Sequence, residues 1–259
     1  MKISVKVLAL PLVLMMSIPG TALAATPELP ATIEDNDIPV TIEEVPKFYP
    51  TFSDIEGNMF TEEIRWGAEN GYLRGWPDGT FRPQQLVTRE AFAAFMYRMK
   101  AKPEAESNTD QNCFTDIANS QFQKEICWMK SEGISTGWPD GTYRPKEFIE
   151  RGAIAAFFAR ADKAKLPEYY KAYAQQGHLP DAVGSPFYKE IFWFHIHGIG
   201  RGWDDGSFRP NAYASRDATA AFFYRYAHRS RELLDLPFPD PNGDYDPNVK
   251  YLEIPNAGN

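Results

Sequence analysis

Apolar positions along this chain come as pairs of helical stripes separated by a loop rich in turn residues. In the first such pair, Phe60 and Ile64 stand four apart and Trp66 flanks the same face. This spacing predicts a helix near residues 60–70, ended by Gly71, where a left-handed residue closes the last turn. Further on, Phe92, Phe95, Met96 and Met99 fall at i, i+3, i+4 and i+7, a single stripe on a second helix that begins at Thr88, a good N-cap. Between them runs Gly75-Trp76-Pro77-Asp78-Gly79-Thr80-Phe81-Arg82-Pro83. Asp-Gly supplies a tight turn, and Pro83 bars a helix from continuing back through it.

The same helix–loop–helix is written three times, at 52–98, 114–160 and 179–225, each 47 residues long and aligned without a gap. Eighteen columns are identical in all three, and the six tryptophans are used up two per repeat. Other shared columns are Asp54/Asp116/Asp181, Asp78/Asp140/Asp205 and Arg89/Arg151/Arg216, with Arg98/Arg160/Arg225 at the end of the second helix. Cationic ends suit the negative pole of the helix dipole. One pair of helices is too small to bury its own stripe, so the repeats are expected to pack together. Alanines such as Ala91, Ala93 and Ala94 recur in each repeat and allow close helix approach. The expected fold is all-α, mainly helical with ordered loops, in one pseudo-threefold domain.

Outside the repeats the chain changes character. Residues 1–24 read as a secretion signal: Lys2 and Lys6, an apolar run from Val7 to Ile18, then Ala22-Leu23-Ala24 as a cleavage site. The apolar run holds Pro11 and is shorter than the ~20 residues a bilayer span needs. Residues 25–51 form an acidic, proline-bearing arm, 165–176 a candidate linking helix, and 231–259 a tail rich in proline, aspartate and asparagine. Formal charge is −8, and −10 once Lys2 and Lys6 leave with the signal. That balance excludes non-specific nucleic-acid binding and charge-driven docking on an anionic membrane. An anionic ligand must be caught by a few placed arginines.

The pattern Phe-x-Asp, Glu-Ile-x-Trp, Gly-x-x-x-Gly-Trp-x-Asp-Gly-Thr-Phe-Arg-Pro, then Thr-Arg and an alanine-rich helix resembles the S-layer homology domain. The three repeats cover 141 of the 235 residues that follow the signal. The resemblance implies a three-pronged, pseudo-threefold helical bundle whose grooves hold a secondary cell-wall polysaccharide, often one carrying a pyruvate ketal. It implies an exported, non-enzymatic protein held non-covalently at the bacterial cell surface. The family's Thr-Arg-Ala-Glu motif stands here as Thr88-Arg89-Glu90-Ala91, Glu150-Arg151-Gly152-Ala153 and Ser215-Arg216-Asp217-Ala218. The arginine is kept each time; the acid sits one place early in two repeats and is absent from that turn in the second.

Arg89, Arg151 and Arg216 are the leading ligand-binding candidates, because a first-turn arginine offers paired donors to a carboxylate beside open backbone N–H groups. Thr88 and Ser215 cap their helices and should fix Arg89 and Arg216, whereas Glu150 and Gly152 leave Arg151 looser, so its loss should matter least. Trp76, Trp138 and Trp203, in loops, could cover a sugar face or pack; Trp66, Trp128 and Trp193 read as core. Asp78, Asp140 and Asp205 are turn formers and candidate acceptors for sugar hydroxyls. Asp54, Asp116 and Asp181 read as caps, and Arg82, Arg144 and Arg209 either line a groove or pair with acids. Cys113 and Cys127 are a candidate disulfide in an exported chain.

Other chemistry is thin. His195 and His197 do not share a helix face, and Asp240 to Asp246 lacks the sixth-position glycine and twelfth-position glutamate of a calcium loop, so no metal site and no cofactor is expected. Glu63, Glu125 and Glu190 repeat in like environments, which suits salt bridging better than a two-carboxylate glycosidase. Two other functions stay open: a wall-active glycan hydrolase, and an adhesin or lattice protein using its arm and tail.

Overall fold

The computed structural model describes residues 51–101, 113–166, 170 and 179–229. The signal (1–24), the arm short of Thr51, most of 165–176 and the tail (231–259) lie outside the described residues. Within them the chain is helical, with six α-helices and no sheet, only three isolated β-bridges. The helices are α1 (Thr61–Glu69), α2 (Arg89–Lys100), α3 (Gln123–Ser131), α4 (Arg151–Ala161), α5 (Tyr188–Ile196) and α6 (Arg216–His228). No helix among these residues is long and apolar enough to cross a membrane.

Each repeat contributes a first helix and a second helix as the apolar spacing predicts, and Gly71, Gly133 and Gly198 stand at φ near +70° just past the first. The partners of these helices come from neighbouring repeats. The second helices α2, α4 and α6 meet at the centre, where Phe92, Phe157, Phe158 and Phe223 bring their rings within 5.0–5.9 Å. The first helix of each repeat then packs on the second helix of the repeat before it: α3 on α2, α5 on α4, and α1 on α6. The last pairing closes a ring. Ala93, Ala94, Ala155, Ala156, Ala220 and Ala221 are fully buried, the close approach that the small residues allow.

Backbone bonds join the repeats at one end of this ring. Arg89 N and Glu90 N donate to Glu147 O and Pro145 O; Arg151 N and Gly152 N donate to Ala212 O and Pro210 O; Arg216 N and Asp217 N donate to Gln85 O and Pro83 O. The first-turn donors of each second helix, otherwise orphaned, are thus satisfied by the following repeat. At the other helix end, Arg98, Arg160 and Arg225 donate to Tyr72 O, Ile134 O and Ile199 O at the exit of the first helix in their own repeat. Cys113 and Cys127 are joined in a disulfide with Cα atoms 5.5 Å apart, fastening the entry of the second repeat to α3.

Candidate functional site

The loop tryptophans sit in turns that the sequence makes tight. Trp76 N donates to Thr80 O and Gly79 N to Trp76 O, and a Cβ on Gly75 would lie 2.3 Å from the Phe52 ring and 2.4 Å from Thr80 O, so only glycine fits. Asp54 accepts from Phe81 N and Arg82 N, both at 2.7 Å, holding Arg82 at φ 57°. Asp116 and Asp181 clamp Arg144 (φ 59°) and Arg209 (φ 57°) in the same way. These aspartates were expected to cap helices. They instead tie down a loop some 27 residues away, against the strain of a left-handed non-glycine residue.

Asp78, Asp140 and Asp205 are engaged within their own loops. One oxygen accepts from the backbone and hydroxyl of Thr80, Thr142 or Ser207, and the other pairs with Arg82, Arg144 or Arg209. The Thr80 hydroxyl, then Arg82, bring the Asp78 pKa down to about 2, and the Ser207 hydroxyl and backbone, then Arg209, do the same for Asp205.

Each of the three leading arginines crosses into the following repeat. Arg89 Nε donates to Tyr143 O, Arg151 Nε to Phe208 O and Arg216 Nε to Phe81 O. Arg151 and Arg216 also donate to Arg201 O and Arg74 O. Their guanidiniums lie over the neighbour's indole: Arg89 is 4.1 Å from the Trp138 centroid, Arg151 4.2 Å from Trp203 and Arg216 4.4 Å from Trp76. Arg144, Arg209 and Arg82 stand 4.5, 4.3 and 4.4 Å from the same three rings. Every loop tryptophan therefore contacts two guanidiniums, one from its own repeat and one from the repeat before. A cation over an indole is worth ~0.5–2 kcal/mol, more as water is excluded. The leading arginines are only 5–6% exposed, and burial lowers all three pKa values, to about 10 for Arg151 and Arg216, which leaves them charged at neutral pH.

Two of the stacks open into clefts lined by described residues. The first-repeat cleft, about 570 Å³, is lined by Trp76 with Arg74, Arg98 and Arg216 and reaches Phe122 of the second repeat. The second-repeat cleft, about 430 Å³, is lined by Trp138 with Arg89, Arg144 and Arg160 and reaches Phe187 of the third. The N–H groups of the first two residues of each second helix already bond the next repeat, so the donors these clefts offer come from side chains. Thr88 caps α2 as expected through Ala91 N. Ser215 does not cap α6, because its hydroxyl bonds the nearby Asp217 carboxylate instead.

Trp128 and Trp193 are buried core, and Trp66 is half-buried against Tyr72, Tyr224 and His228. His195 and His197 are half-buried rather than on the surface and bond Gly200 O and Trp193 O. Among the described residues no group of His, Cys, Asp or Glu is arranged to hold a metal ion. Sequence reasoning missed Arg74, Glu147, Phe148 and Tyr213 in the clefts. The signal available was the column Leu86/Phe148/Tyr213, apolar residues just before the helix cap that belong to neither stripe.

Residues 51–93 and 114–155 match the family model of the S-layer homology domain. The chain is 29% identical over 204 residues to Cell surface glycoprotein 1 of Acetivibrio thermocellus, covering 76% of this chain and 8% of that protein. It is 32% identical over 114 residues to the Cellulosome-anchoring protein of the same organism, covering 43% and 26%. It is 27% identical over 179 residues to an Endoglucanase of Bacillus sp., covering 65% and 18%. The chain thus spans about a quarter or less of each of these relatives.

Proposed function

We propose that this chain is a non-covalent anchor that holds an exported protein or surface layer on the bacterial cell wall by binding a wall polysaccharide. Residues 179–225 act as a third S-layer homology domain. The observation that carries this reading is the stack of two arginines on one tryptophan between repeats, opening in two places into clefts with three arginines each. A guanidinium recognises a carboxylate through paired donors, and a fixed indole offers a flat face to a sugar. On a chain of net negative charge, such local cationic clefts are where an anionic polymer is bound. A pyruvate ketal is the substituent that the family resemblance implies. The similarity to a surface glycoprotein and to an anchoring protein supports the location.

Hydrolysis is the weaker reading. Glu190 lies 3.8 Å from Arg160, and Glu125 and Glu63 act on Arg98 and Arg225, so that column supports ion pairing. The test is co-sedimentation of the exported chain with purified cell walls before and after acid stripping of their secondary polymer. Binding is expected to be lost on stripping, with no sugar released from intact walls. Binding unchanged by stripping would overturn the reading.

A further inference from the structure

The two clefts occupy equivalent places in successive repeats and differ at five equivalent lining positions, Gln121/Pro186 from the adjoining repeat and four from the repeat that carries the tryptophan. Arg74, Gln85, Leu86 and Thr88 of the first repeat are replaced by Thr136, Glu147, Phe148 and Glu150 in the second. Three of the four changes move the cleft toward negative charge, and the fourth adds an aromatic ring. We propose that the clefts divide the polymer between them: the first-repeat cleft takes an anionic substituent, and the second-repeat cleft takes an uncharged sugar ring. This deepens the wall-polysaccharide reading and rests on it.

In the first-repeat cleft the only lining carboxylate is Glu90, and it is already engaged, accepting from Ser120 Oγ at 2.7 Å and Lys146 Nζ at 2.6 Å. Glu125 acts on Arg98 and Asp54 on Arg216, but Arg74 adds a third cation to the lining, which Arg98 feels, while Arg216 also feels Arg82 and Arg98. An incoming carboxylate relieves that mutual repulsion. In the second-repeat cleft the protein supplies its own anions. Arg144 lies 3.8 Å from Glu147, where the first repeat has Gln85, whereas its 3.3 Å pairing with Asp140 repeats that of Arg82 with Asp78. Another carboxylate there meets Glu147 and Glu150.

What the second-repeat cleft offers instead suits a neutral ring. Phe148 and Tyr213 on its rim are 44% and 52% exposed, with centroids 5.7 Å apart, beside Trp138. Exposed aromatic faces cover the C–H face of a pyranose, while carboxylates accept from its hydroxyls, and neither contact requires charge on the ligand. The first-repeat cleft has Leu86 at the rim position.

The test uses the exported chain and polysaccharide fragments released from purified cell walls, untreated or after mild acid has removed their acidic substituent. Indole N–H resonances, assigned by Trp76→Phe and Trp138→Phe, report which cleft is filled. Neutralised fragments should shift Trp138 and leave Trp76 in place, and untreated fragments should shift Trp76 in a salt-sensitive way. Glu147→Gln with Glu150→Gln should weaken binding of neutralised fragments severalfold, whereas Arg74→Gln should weaken untreated ones roughly tenfold, as expected for loss of a charged contact. Thermal melts of each variant separate lost contact from lost fold. Neutralised fragments shifting both indoles equally, or untreated ones preferring Trp138, would overturn the division while leaving wall binding intact. Absence of any shift with whole polymer would overturn the anchoring reading, and this one with it.

Discussion

Glu90 and Gly152 hold the same position in successive repeats, and the two junctions they face are built differently. Where the first repeat meets the second, Glu90 is buried and bonded to Ser120 and Lys146 across the junction. Where the third meets the first, Asp217 does the same work on Asn58 at 2.9 Å and Gln84 at 2.6 Å. Where the second meets the third, Gly152 presents no side chain to Ser185 and Asn211, the equivalent partners. That junction is fastened at the opposite end of the helices. Asp162, at the C-terminus of α4, accepts from Tyr226 Oη at 2.7 Å and pairs with Arg229, while Lys100 at the end of α2 lies 3.7 Å away. A pseudo-symmetric ring therefore keeps the backbone seam in all three places and varies the side chains that reinforce it. Function can then diverge between clefts without loss of closure.

The largest effect should come from striking the reinforced junction from its outer side. The disulfide closes a short loop with a sequence separation of 14 and secures α3, which packs on α2. Cys113→Ser with Cys127→Ser is expected to cost ~3 kcal/mol by loop-closure entropy. Urea titration of the non-reduced protein checks it, and an unchanged midpoint would deny the bridge a structural role.

Next, Glu90→Ala should cost ~2 kcal/mol, the loss of charge-assisted bonds to a buried carboxylate, with Lys146 free to return to water. Asp162→Asn should cost about as much at neutral pH, and its acid dependence separates the two junctions. Burial alone would raise the Asp162 pKa, but bonds from Tyr226 and Arg229 outweigh it and bring it below the usual carboxylate value. Its contribution is complete above ~4 and fades as pH falls through the lowered folded value. His197 is held below its ordinary pKa, first by burial, so stability begins to fall once pH drops below ~6.5 and the unfolded chain takes up the proton. Chemical denaturation from pH 8 to 3 should show both declines, and Asp162→Asn should flatten the lower one. A lower decline that survives the substitution would place the acid sensitivity elsewhere.

The smallest effect tests whether the missing reinforcement can be restored. A Cβ on Gly152 would lie 3.2 Å from Pro210 O, tight but within reach of a small adjustment. Gly152→Glu should add less than ~1 kcal/mol, from helix propensity and a carboxylate in the first turn. Comparison with Gly152→Ala shows whether Ser185 and Asn211 contribute. A destabilised Glu variant beside a neutral Ala variant would mean that this junction cannot take the carboxylate.

Helix positions, the glycine stops and the threefold repeat were all legible in the sequence, because apolar spacing and turn residues act over a few neighbouring positions. Thr88 as a cap and the burial of Trp128 and Trp193 follow from the same local rules. Which helix would pack on which was not local. A stripe on α3 states that it must be buried, and only the closed ring decides that α2, not α4, covers it. Likewise the sequence placed an arginine at the head of each second helix, but its indole partner lies in the following repeat. Asp54 and its equivalents looked like caps because a carboxylate before a helix usually is one, whereas the fold brings a left-handed loop within its reach. Tertiary structure also decided the fate of the helix N-termini. Their open N–H groups, attractive to an anion in isolation, are taken by carbonyls of the next repeat, since a buried donor left unpaired costs more than the bond to any weak ligand would return.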